Sequence, residues 1–199
     1  MTRRAWPVAL LLFFSGACAL LYQVVWMRAL RLVFGASTPA TAVVLAVFMG
    51  GLGYGSFWLG KRAEKSSAPL ALYAKLELGI ALSAAVSPVL LWWAQSAYFS
   101  LGGVSSLGTV GATLVRLLLS AVVLLPPTLL MGGTLPAAAR AATDEDDHGR
   151  RTTAWLYGAN ALGAVCGVLG SSFLLLEIFG TRLTLWLGCL INLLVAMVA

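Results

Sequence analysis

The sequence predicts an all-α, polytopic membrane helix bundle of about six spans, and three observations carry that prediction. The 199 residues are 60% hydrophobic and only 10% charged, with a mean hydropathy of +0.93, whereas soluble domains carry roughly 25% charged residues. Six stretches have about the 20 apolar residues that a helix needs to cross a hydrocarbon core of about 30 Å. The Lys and Arg residues fall mainly at alternate ends of those stretches, as topology determinants do. The whole of 1–199 reads as one transmembrane domain.

The first span is expected over Ala5–Met27. Arg3, Arg4 and the small residues before Cys18 resemble the start of a signal peptide, but the apolar run continues through "ALLYQVVWM" to a length suited to spanning. The first half of the stretch Ser15–Ser37 reads as lipid-facing. Tyr22, Gln23, Trp26, Arg28 and Arg31 then follow with only aliphatic residues between them, a mixture that is costly in hydrocarbon. On an inside-to-outside path Gln23 and Trp26 reach the outer third, and the two arginines reach the outer interface. There aromatics anchor and Arg side chains snorkel, which leaves Gln23 as the residue expected to face protein.

The second span is expected over Thr38–Leu59. Gly51 and Gly55 lie one helical turn apart within it, and small residues at that spacing let two backbones approach closely. The third is expected over Leu78–Tyr98, with Glu77 at its inner entrance beside Lys75. That carboxyl reads as an interfacial group or as a proton or cation site.

The fourth span, expected over Thr109–Met131, contains "LLPPTLLMGGTLP". Pro126 and Pro127 remove two backbone donors and obstruct carbonyls one turn earlier, so a kink is expected there. The fifth, over Thr153–Ile178, repeats the glycine spacing at Gly163 and Gly167. Asn160 shares their face and calls for an interhelical partner, and the second and fifth helices are therefore expected to pack at the centre. Arg116 of the fourth span and Glu177 of the fifth both belong to the outer half, where opposite charges would lower each other's burial cost.

The sixth span is expected over Leu183–Ala199. It has no polar residue after Asn192, and a longer natural chain is an open expectation.

Placing the N-terminus inside puts Arg3, Arg4, Lys61, Arg62, Lys65, Lys75, Arg140, Arg150 and Arg151 on the inner side, against Arg28, Arg31 and Arg182 outside. Both termini are thus expected in the cytoplasm. "GKRAEKSSAP" reads as a charged inner loop and "SLGGVSSLG" as an uncharged, flexible outer one. "RAATDEDDHGRR" reads as an inner loop whose Asp144, Glu145, Asp146, Asp147 and His148 are solvated; carboxylates beside a His can ligate a divalent metal, but the spacing of a calcium loop is missing, and no metal is expected.

Several functions are disfavoured. The basic residues form no patch interleaved with exposed aromatics, so a nucleic-acid partner is not expected. Cys18, Cys166 and Cys189 sit in apolar runs without metal-ligand spacing. No nucleophile has a base at hand, and neither an enzyme activity nor a cofactor is expected. The candidate solute or ion pathway is Gln23, Glu77, Arg116, Tyr157, Asn160 and Glu177; Gly51, Gly55, Gly163 and Gly167 are the candidate packing residues.

"SGACALLYQVVWMRALRLVFGAS", "AVFMGGLGYGSFWLGKRAEK", "LELGIAL", "LLMGGTLPAAAR" and "LYGANALGAVCGVLGSSFLLLEIFGTR" resemble, in order, the transmembrane region of bacterial membrane proteins fused to a spermidine-synthase-like domain. That region is similar to one half of a major facilitator transporter. The resemblance implies a bacterial inner-membrane location and a transporter-like domain handling a small solute, as a homo-oligomer or within a larger membrane complex. An accessory or structural subunit remains the alternative. Two departures limit what it implies: Gln23 stands where the family often has a carboxylate, and the synthase part is absent.

Overall fold

Inside lipid an apolar run must satisfy its own backbone hydrogen bonds, which a helix does within one segment. The computed structural model describes residues 5–143 and 150–199, and there it contains helices and no strand. The elements are α1 (Ala5–Phe34), α2 (Thr38–Glu64), α3 (Pro69–Ser100), α4 (Gly103–Ala142), α5 (Arg150–Gly170), a π-helical turn (Ser171–Leu175), the short α6 (Leu176–Ile178) and α7 (Gly180–Val198). With α5, the π turn and α6 forming one continuous span, six spans long and apolar enough to cross a membrane result.

Most helices run past the apolar stretches that reveal them. α3, with 32 residues, is about 48 Å long at 1.5 Å per residue, well over the thickness of the hydrocarbon core. Hydropathy registers only the part in lipid. The two expected loops shrink accordingly: α2 continues to Glu64 and α3 begins at Pro69, while most of "SLGGVSSLG" is the first turn of α4. The acidic cluster Asp144–Asp147 with His148 lies outside the described residues.

Local chemistry sets the corners. α1 stops at Gly35, whose φ of 87° suits glycine. Ser37 then caps α2 by accepting from the Ala40 N–H at 3.4 Å, with Pro39 in the first turn.

The pair Pro126 and Pro127, where a kink is expected, is not where α4 leaves helical dihedrals. The one residue inside α4 with non-helical dihedrals is Gly108, at φ 64° and ψ 179°, a conformation open essentially to glycine alone. The proline pair keeps helical dihedrals, and α2 packs closely along that stretch. A Cβ on Gly51 would strike the Thr128 side chain, and one on Gly55 would strike the Leu129 backbone.

α1 and α4 are the central elements. α5 packs along α1, α2 along α4, and α3 lies against both α4 and α7. The glycine helices α2 and α5 therefore do not meet, and the expectation that they form the centre is corrected. Each lays its small-residue face on a central helix: Gly163 against the Phe13 carbonyl and Gly167 against the Ala17 carbonyl, as Gly55 meets Leu129. One common shift in residue number carries Gly51 to Gly163, Gly55 to Gly167 and Ala17 to Leu129. The triad α1–α2–α3 thus corresponds to α4–α5–α7, which begins from the opposite end of the bundle, and the third helices α3 and α7 pack on each other.

The reading of α1 also changes. The first half of Ser15–Ser37 is not lipid-facing: Ser15, Gly16, Cys18, Leu21, Tyr22 and Val25 are buried. Tyr22 and Trp26 are not interfacial anchors either. They are fully buried and stacked at 5.2 Å, on the stripe that also carries Cys18, Leu21, Val25 and Leu30.

Candidate functional site

Among the described residues the most heavily buried charged-type side chain is Glu77. Because α3 starts at Pro69, Glu77 sits about 12 Å into the helix at 1.5 Å per residue rather than at its entrance, and its exposure is 0%. Asn192 of α7 donates from Nδ2 to Glu77 Oε2. Ser15 of α1, about 15 Å from the start of its helix, and Asn192, about 9 Å from the end of α7, lie at matching depths.

Ser15 and Tyr73 also face the carboxyl. Glu77 Oε1, the Tyr73 hydroxyl and Asn192 Oδ1 are nevertheless buried without a hydrogen-bond partner. These groups gather polarity inside an otherwise apolar interior, where each polar atom calls for a hydrogen-bond partner. Higher in the same α1–α3–α7 interior, the Tyr22 hydroxyl and Thr184 Oγ1 are likewise unpaired.

Gln23 lies elsewhere. It is half-buried and lines a groove of about 730 Å³ with Arg28 and Arg31 of α1 and Val168, Ser172 and Leu176 of the fifth span. Ser172 belongs to the π-helical turn, a departure from α geometry that recurs at functional sites. This groove sits at the end of the bundle opposite the termini.

Arg116 and Glu177 do not pair. Arg116 is 8% exposed, its Nε donates to the Tyr98 hydroxyl at 3.2 Å, and its guanidinium lies 5.6 Å from the Tyr98 ring centroid. Glu177 is exposed on α6, which shares no contact with α4. The fifth span packs chiefly on α1, and the Arg116 side chain turns to α3 instead.

Tyr157 is exposed on the open face of α5. Asn160 is half-buried against Gly16 of α1, where its carbonyl and Oδ1 occupy the space a Cβ would need. The six candidate pathway residues therefore divide among separate places. Sequence reasoning missed Ser15, Tyr73 and the role of Asn192. The available signal was polarity at matched depth: each is a polar residue inside an apolar run, at a similar distance from the same end of the bundle.

Compared with protein-family models, with curated proteins and with solved structures, the chain matches none.

Proposed function

We propose that this integral membrane chain is a transporter-like six-helix domain that handles a small solute, one half of an alternating-access assembly completed by a second copy or a separate half. The observation that carries the reading is the inverted pairing, in which α1 holds α5 as α4 holds α2. Inverted repeats of three helices are units from which many secondary transporters are built, with their sites where the repeats meet. Here α3 meets α7, and Glu77 and Asn192 join across that contact.

The solute in this reading is anionic or neutral. Arg28, Arg31 and Gln23 line the groove at the end away from the termini, a balance that attracts anions and repels polyamines. The resemblance to the spermidine-synthase-fused proteins, the bacterial inner membrane and cytoplasmic termini belong to the same proposal, which assigns the chain no catalytic step.

Purified chain in vesicles tests it against labelled phosphate, succinate and spermidine. Saturable anion uptake that falls at least tenfold in R28Q/R31Q supports the proposal. Saturable spermidine uptake instead would overturn the charge argument.

One observation favours the alternative, an accessory subunit. On the open side of α2, Gly50 and Gly53 have no atom within 4 Å of an added Cβ and lie beside exposed Tyr54 and Phe57. A helix of a different protein would fit that face. Purification from native membranes in mild detergent separates the readings: a stoichiometric foreign partner with no uptake favours the accessory role.

A further inference from the structure

We propose that Glu77, with Tyr73 and Asn192, is a proton-exchange site inside the bundle. The inference rests on the membrane-spanning reading alone, so it stands or falls independently of transport.

A carboxyl with no exposure inside a membrane bundle requires a compensating charge or a proton. No cation faces it. From α1 the groups that act on it are Ser15, Cys18 and Tyr22; from α3, Tyr73; from α7, Asn192. Lys75 on the same helix is exposed, as are Lys61, Arg62 and Glu64 on α2, Arg140 on α4 and Arg182 on α7. Arg116, the charged residue that α4 carries within its span, is engaged by Tyr98 far along α3.

The donor set decides between a proton and a metal ion. A hard metal cation recruits several oxygens, carbonyl and carboxylate together. Here the groups that face the carboxyl are the Ser15 hydroxyl, the Tyr73 phenol and the Asn192 amide, with no cluster of carboxylates, His or Cys among the described residues, a set that suits a hydrogen-bonded acid.

The remaining oxygen, Oε1, is not engaged by Asn192, and the Tyr73 hydroxyl faces the same carboxyl. Tyr73 can both donate and accept. It can therefore serve either state of the carboxyl, giving a hydrogen bond to the carboxylate and accepting one from the acid. Uptake of one proton by the carboxylate forms one O–H bond at Oε1 and removes one buried negative charge, with no other reactant.

Infrared difference spectroscopy on the purified full chain, comparing acidic with alkaline buffer, provides the test. The expected result is a protonated-carboxyl C=O band that appears on acidification, is lost in E77Q and changes frequency in Y73F. E77Q keeps an acceptor for Asn192. Should that variant fail to fold, mapping the adduct of a hydrophobic carbodiimide on the wild-type chain by mass spectrometry replaces it, with labelling of Glu77 in acid and protection in alkali as the supporting result. A wild-type spectrum without such a band, labelling of Glu77 that is the same in acid and alkali, or a band that sodium abolishes at constant pH where potassium does not, would overturn the proposal.

Discussion

Trp26 and Ser87, both fully buried, join α1 to α3 through a hydrogen bond of 2.9 Å from the indole Nε1 to the serine Oγ. The serine in turn donates to the Ala84 carbonyl at 2.7 Å, so both of its functions are occupied. The indole stacks on Tyr22 one turn earlier. A side chain that sequence reading places at a membrane interface thus braces α1 against α3 in the interior.

Replacing Trp26 with Phe keeps the stack and removes the donor. Thermal inactivation in detergent should register a loss of about 1–2 kcal/mol, the worth of a buried hydrogen bond plus some lost contact. S87A should cost less in the W26F background than in the wild type. Strict additivity of the two changes would show that the bond carries no stability.

Gly167 and Gly170 offer a controlled pair on one helix. A Cβ at Gly167 would strike the Ala17 carbonyl, whereas at Gly170 nothing lies within 4 Å. G167L should therefore abolish most of the folded yield and G170L should leave it near wild type, because only the first forces two backbones apart. Similar yields from both would mean that α5 does not seat on α1.

Gly108 tests where α4 breaks. With φ at 64° and ψ at 179°, G108A should lose roughly 1–3 kcal/mol of stability to backbone strain. The same exchange at Gly50, helical and open, should be neutral or slightly stabilising. If P126A, and not G108A, alters stability and the α3–α4 hairpin, the break lies at the proline pair after all.

Topology follows from the basic residues. On a background lacking the native cysteines, a probe at exposed Ser105 should react with an impermeant reagent from outside the cell and one at exposed Ser67 should not. Reaction at Ser67 alone would invert the orientation.

Much of the fold was legible in the sequence for one reason: lipid makes hydropathy a direct readout of where a helix must be. The helix class, the approximate spans and the small-residue faces at Gly51, Gly55, Gly163 and Gly167 are all visible in a one-dimensional pattern. The site was not. Glu77 reads as interfacial because the apolar run begins at Leu78, while the helix itself begins at Pro69 and carries the carboxyl down into the bundle.

Local composition therefore determined which segments are helices and which faces are small enough to be approached. Tertiary structure alone decided the partners: α5 on α1, α2 on α4, Arg116 with Tyr98 rather than Glu177, and Asn192 with Glu77 across 115 positions of chain. The reason is physical. Lipid tails are as apolar as the side chains they meet, so hydrophobicity does not tell one helix which neighbour to choose. That choice is made by close backbone approach and by buried polar pairs, and both exist only once two distant segments share a depth and a face.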